Sequence, residues 1–192
     1  MLNITSILPG SRKKRYPLQA LAGAAVFLAA FAGPPLCAAE SAPPEGLSNS
    51  AASIHQETDY AASCQRVYRA LTRASEFDAL TRLSDAATLV TAPDAKATAI
   101  SDQAGVPFTL FGGYITGRNL EVVRDRRLVQ AWRAGSWGPG EYSVVRFELQ
   151  PHGAHCTVAL DQRGFPDSQG PSLAYGWRVH YWVPLGKFLN QQ

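Results

Sequence analysis

The sequence predicts one α+β domain in which a curved antiparallel sheet of about six to seven strands wraps around a long C-terminal helix, with two short helices after the first strand. Three observations carry this expectation. The middle of the chain alternates aromatic and β-branched runs with turn residues. The stretch 61–83 and the stretch from Ser172 to Leu189 instead repeat apolar residues at three- and four-residue intervals. The second of these helical stretches carries one broad aromatic stripe, the natural cover for a sheet with a single apolar face.

In chain order, Ile54 to Thr58 reads as a first strand. Helical spacing follows through Val67, Leu71, Phe77, Leu80 and Leu83, with a break expected at Ser75. Arg66, Arg69 and Arg73 share a helical face, which suits solvent first and an anionic partner second. Five strands are expected at Phe108–Phe111, Tyr114–Val123, Arg127–Arg133, Tyr142–Gln150 and Ala154–Asp161. Gly112-Gly113, Arg124-Asp125-Arg126, Gly138-Pro139-Gly140 and Pro151-His152-Gly153 separate them as turns. Val145, Phe147 and Leu149 alternate with Val144, Arg146 and Glu148, so one face is buried and the other mostly wet. In the last helix Leu173, Trp177, Tyr181, Leu185 and Phe188 form the stripe. Pro184 cannot donate to the carbonyl of His180, which predicts a kink or a break there.

The N-terminus reads differently. Arg12, Lys13, Lys14 and Arg15 precede an apolar, alanine-rich stretch from Leu18 to Gly33, then Pro34-Pro35 and the small residues around Ala38-Ala39. That order is the order of an export signal, expected over residues 1–39 with cleavage after Ala39, and implies a periplasmic or secreted protein. Residues 40–53, rich in Pro, Ser, Gly and Ala, form an expected tether, leaving 54–192 as the folded domain. The stretch is too short and too alanine-rich for a typical membrane span, so membrane contact is expected only through an uncleaved leader.

The net charge of +3 belongs to that leader: from Glu40 onward 14 Lys and Arg face 15 Asp and Glu. The domain therefore lacks the electrostatic footprint of a nucleic-acid binder. Beyond the leader the cysteines are Cys64 and Cys156, which either pair in an oxidising compartment or pack as two small apolar side chains.

Catalytic signals are weak. His152, His155 and Cys156 are zinc-ligand types, but adjacent strand residues point to opposite faces, so no metal site and no cofactor are expected. Asp161-Gln162-Arg163, followed by Gly164-Phe165-Pro166, reads first as a strand end entering a turn before the last helix, and second as polar groups at the mouth of a cavity. His180 could act as an acid or base, yet no nucleophile–base pair or phosphate loop accompanies it. The expectation is a binding module and not an enzyme.

Several stretches together resemble one family. The hairpin Gly105-Val106-Pro107-Phe108-Thr109-Leu110-Phe111-Gly112-Gly113-Tyr114-Ile115-Thr116-Gly117 is similar to one in the C-terminal domain of the activator of the ninety-kilodalton heat-shock-protein ATPase. Arg127 to Arg133 followed by Trp137, then Gly164-Phe165-Pro166 and the run from Gly176 to Leu185, resemble that family's later motifs in the same order. Val67 to Thr72 looks like its first helix. The resemblance implies the helix-grip fold of the SRPBCC superfamily, shared with START lipid-binding domains, polyketide cyclases and the birch-pollen allergen. It also implies a cavity between sheet and helix. With the periodicity, it makes Phe108, Phe111, Trp132, Phe147, Trp177, His180 and Tyr181 the expected cavity residues. The expected occupant is an apolar or amphipathic small molecule, bound by desolvating aromatic surface at ~25 cal/mol per Å². Two other uses stay open: a co-chaperone-like protein partner, and a cyclase- or hydrolase-like reaction in the same cavity. An exported chain would not meet the cytosolic chaperone, which favours the small molecule.

Overall fold

The structure, a computed structural model, describes residues 52–191. The expected export signal and the tether through residue 51 lie outside the described residues. Six strands, β1 (Ser53–Tyr60), β2 (Pro107–Leu110), β3 (Ile115–Val123), β4 (Arg127–Ala134), β5 (Ser143–His152) and β6 (His155–Arg163), form one antiparallel sheet in the order β1-β6-β5-β4-β3-β2. β2 to β6 are a meander, and β1 closes against β6 with Ile54 opposite Gln162 and Tyr60 opposite Cys156. The expected strands are all present, each shifted by a residue or two at its ends. The β5–β6 turn is tighter than expected, because pairing continues to His152 opposite His155 and Gly153 takes a positive φ of 60°.

Alternation decides the faces. Leu128, Gln130, Trp132 and Ala134 on β4 point inward with Ser143, Val145, Phe147 and Leu149 on β5 and Cys156, Val158, Leu160 and Gln162 on β6. On the wet face Arg127 donates to Glu148 directly across the β4–β5 pair at 2.5 Å, and to Glu121 at 2.9 Å. β3 carries a register shift between Asn119 and Glu121, which leaves Leu120 exposed while Asn119 stays buried. Asn119 is not stranded there: Gln130 donates to it at 3.0 Å, and it donates to the Ser101 carbonyl at 2.8 Å.

Helices α1 (Cys64–Thr72) and α2 (Ala74–Thr81) follow β1, broken at Arg73, whose extended backbone ends the first and begins the second. The break falls two residues before the expected Ser75. A short α3 (Ala87–Thr91) lies in a segment for which no element was expected. Its five residues are too few to show a helical period.

The C-terminal helix is continuous through α4 (Gly170–Gly176), a π-helical stretch (Trp177–Trp182) and α5 (Val183–Leu189). The expected kink or break at Pro184 is replaced by this wider turn: the Val183 N–H reaches back five residues to the Arg178 carbonyl. The register shift has a packing consequence. In an α-helix, residues five apart point about 140° apart, whereas one π turn stacks them. Trp177 and Trp182 accordingly stack with centroids 5.9 Å apart and planes at 22°. Both face the sheet.

Cys64, at the start of α1, and Cys156, at the start of β6, form a disulfide with Cα atoms 5.0 Å apart. This settles the pairing left open by the sequence and staples the helical pair to the sheet across a separation of 92 residues. A loop of that length gives a loop-closure contribution of roughly 4–5 kcal/mol. Reduction, or Cys156→Ser, is expected to lower Tm by on the order of 10–20 °C in thermal melts, with far-UV circular dichroism of the folded state unchanged.

Candidate functional site

A cavity of about 220 Å³ opens between the C-terminal helix, β3–β4 and α3. Its inner wall is aromatic: Phe111, Trp132, Trp137, Trp177 and Tyr181 surround it. Each is there for a local reason. Trp132 is an inward position of β4, and Trp177 and Tyr181 lie one helical turn apart on the buried stripe. Phe111 takes a left-handed φ of 51° in the 3₁₀ turn Phe111–Gly113, which swings its ring edge-on to Phe77 at 5.4 Å and Tyr181 at 5.2 Å. Gly112 continues that turn at φ 66°, where a Cβ would stand 2.0 Å from the Leu89 carbonyl oxygen. The turn thus seats α3 against the cavity. Trp137 packs edge-on to Trp132 at 5.4 Å.

The wall is held by polar bonds from behind. Trp177 Nε1 donates to Gln162 Oε1 at 2.7 Å, Gln162 Nε2 donates to Ser143 Oγ at 2.9 Å, and Ser143 Oγ donates to the Trp132 carbonyl at 3.1 Å. The Asp161–Arg163 segment is the expected strand end: β6 runs through Arg163 and leaves the sheet at Gly164, whose φ is 76°, while Gln162 is fully buried and anchors the helix. A second glutamine does the same at the other indole: Trp182 Nε1 donates to Gln56 Oε1 at 2.7 Å, and Gln56 Nε2 donates to the Ala174 carbonyl at 2.9 Å. Tyr60 adds a hydroxyl bond to the Trp182 carbonyl at 3.0 Å.

Of the seven expected cavity residues, the structure brings Phe111, Trp132, Trp177, His180 and Tyr181 onto the cavity. Phe108 and Phe147 are buried away from it. The Phe108 ring lies over Gly117, where a Cβ would meet it at 2.4 Å. Phe147 packs edge-on to Trp177 at 5.7 Å and Trp182 at 6.2 Å, behind the indoles. Periodicity marks inward residues but cannot say which of them border a void. The sequence reading missed Tyr114, Trp137, Leu89 and Tyr175 on this wall. Trp137 was visible as part of a motif, whereas Leu89 depends on the unforeseen α3.

The rim is apolar and exposed: Leu89 is 41%, Tyr114 46% and Tyr175 60% accessible. His180 borders the cavity beside Phe111, and burial lowers its pKa below the ordinary imidazole value while Asp85 opposes the shift. The histidines considered as metal ligands are used otherwise: His152 and His155 each pair with Asp59 at 2.9 Å on the exposed face, and Cys156 is in the disulfide. Among the described residues no helix is long and apolar enough to cross a membrane.

This geometry can be set beside known proteins. Residues 61–189 match the family model described as activator of Hsp90 ATPase homolog 1-like protein. The chain belongs to that family. The mouse activator of 90 kDa heat shock protein ATPase homolog 2 is 25% identical over 88 residues, 46% of this chain and 27% of the relative. The mouse homolog 1 is 22% identical over 151 residues, 76% of this chain and 41% of the relative. The match therefore spans less than half the length of either activator. An HSP90 activator from Plasmodium falciparum superposes with a TM-score of 0.61 at 20% identity, covering 72% of this chain and 96% of that one. CalU16 from Micromonospora echinospora gives 0.55 at 21%, covering 72% and 76%. These likenesses establish for the activator-like domain the helix-grip fold that the sequence motifs implied.

Two expectations follow from the wall. Gln162→Leu strips Trp177 of its acceptor and is expected to cost about 2–3 kcal/mol in urea unfolding, with a shifted tryptophan emission. His180 is less readily protonated folded than unfolded, so its contribution is complete above the unfolded pKa near 6.5 and is lost as pH falls below it. His180→Asn is therefore expected to flatten the decline of the urea midpoint between pH 7.5 and 5.5.

Proposed function

We propose that this activator-like domain binds a small apolar or amphipathic molecule in the helix–sheet cavity, and that it does so as an exported protein. The observation that carries the binding reading is the open, aromatic-walled void of about 220 Å³ at a site where the fold could have packed solid. Removing that aromatic surface from water supplies the affinity, and the polar bonds to Trp177 and Trp182 hold the wall in place before the ligand arrives. Export is supported by the leader's charge and hydropathy order and by the Cys64–Cys156 disulfide, a bond that persists in oxidising compartments.

A protein partner is the second reading, favoured by the exposed rim of Leu89, Tyr114 and Tyr175 and by relatives named as activators of a chaperone ATPase. The two readings differ in what fills the cavity. Native mass spectrometry of the chain purified from the periplasm is expected to show a stoichiometric small-molecule adduct. Gly176→Leu, which adds a side chain at the cavity wall where a Cβ meets only His180 at 3.9 Å, is expected to fold and to lose the adduct. A clean apo mass for the parent protein, with no uptake from a lipid and polyketide panel, would overturn the carrier reading.

A further inference from the structure

The zoning of the cavity narrows its occupant, an inference that rests on the binding reading above. Every buried residue of the lining, among them Phe111, Ile115, Trp132, Ala134, Trp177 and Tyr181, belongs to the hydrophobic core. Of the exposed lining residues, Leu89 is apolar, whereas Tyr114, Ser136, Ser172 and Tyr175 each carry a hydroxyl. The interior is thus apolar and the rim hydroxylic, with Tyr114 Oη and Ser136 Oγ 3.3 Å apart. No Asp, Glu, Lys or Arg is among the described residues that line the cavity, and Arg178 stacks on Tyr175 at 5.8 Å without joining the lining. An ionised occupant would therefore leave water with no counter-charge to meet it.

Volume sets the size. An apolar void of about 150 Å³ holds one benzene ring, and pockets for drug-sized ligands start at about 300 Å³. At about 220 Å³ this cavity lies between them and, in proportion to benzene, takes roughly nine or ten carbons. The wall favours rings over a chain. Trp132 and Trp177 are tilted by 38° at 5.6 Å, Trp137 meets Trp132 at 65°, and Phe111 meets Tyr181 at 66°, so both ring faces and ring edges are on offer. A flat aromatic ligand finds offset and edge-to-face partners there and, unlike an acyl chain, has little rotational freedom to lose on binding. From these observations we infer that the cavity takes a neutral molecule of about two fused aromatic rings, carrying a hydroxyl group on the end that meets the rim. The rings lie against Trp132, Trp177 and Tyr181, and the hydroxyl exchanges hydrogen bonds with the hydroxyls of the rim.

The test measures, by equilibrium dialysis against the purified full chain, the binding of 2-naphthol, naphthalene, 2-naphthoate and 1-decanol. 2-Naphthol is expected to bind tightest, roughly threefold more tightly than naphthalene and on the order of tenfold more tightly than 2-naphthoate or 1-decanol. In the triple variant Tyr114→Phe, Ser136→Ala, Ser172→Ala, whose changes are all at exposed positions, the ratio of naphthol to naphthalene affinity is expected to fall to one or below. Thermal melts verify that the variant is folded, and the ratio is read within one protein, so a general loss of affinity does not imitate the effect. Equal affinity for naphthol and naphthalene in the parent protein, or a ratio unchanged in the variant, would overturn the hydroxyl assignment. Tightest binding of 2-naphthoate would overturn the neutral assignment, and tightest binding of 1-decanol the two-ring one. A stoichiometric adduct in native mass spectrometry with no uptake of any probe would overturn this ligand class and leave the carrier reading standing. No uptake together with a clean apo mass would remove both.

Discussion

The structure depends on how one aromatic helix is seated in the concave face of the sheet. Pro184 withholds an N–H, the helix answers with a π turn, and that turn brings Trp177 and Trp182 onto one face at a spacing where an α-helix would splay them. Each indole then needs an acceptor inside a desolvated interface. Gln162 and Gln56 provide them from β6 and β1, neighbours in the sheet. These bonds fix the rotation of the helix, which hydrophobic contact alone leaves loosely defined because burial is non-directional.

The cavity follows from that seating. Held by β1 and β6 on one side, the helix leaves a gap toward β3 and β4 on the other, where Trp132, Trp137 and Phe111 stand. A core at normal density would close such a gap with larger side chains. Here the inner wall includes Ala134, Gly176 and Ala86, which leave it open. The disulfide ties α1 to β6, away from the residues that line the void. An activator-like domain with this layout has a disulfide-tied back, two glutamine anchors under its last helix and an apolar front. The relatives named as activators share only part of their length with this chain.

Much of this was legible in advance. The period-two alternation on β4 and β5 and the aromatic stripe of the last helix are local consequences of backbone geometry, and they sufficed for the sheet, its buried face and its covering helix. The glycine–aromatic hairpin at 105–117 and the tryptophan-rich ending carried the family. Phe111, Trp132, Trp177, His180 and Tyr181 could be named as cavity residues because inward periodicity and the helix-grip resemblance agreed on them.

What the tertiary structure alone decided concerns distances between segments far apart in the chain. Phe108 and Phe147 are as inward as Trp132, yet Gly117 and the two indoles take up their surfaces, and no local pattern encodes that. Cys64 and Cys156 read equally well as a bridge or as two packed thiols until β6 and α1 placed their Cα atoms 5.0 Å apart. Gln162 read as part of a strand end entering a turn, and only the approach of Trp177 made it a buried anchor. Pro184 announced a disturbance in the helix but not its form. Sequence fixes which way a side chain points along its own element; which void, partner or bond it meets there depends on how elements pack, and packing is settled by all of them at once.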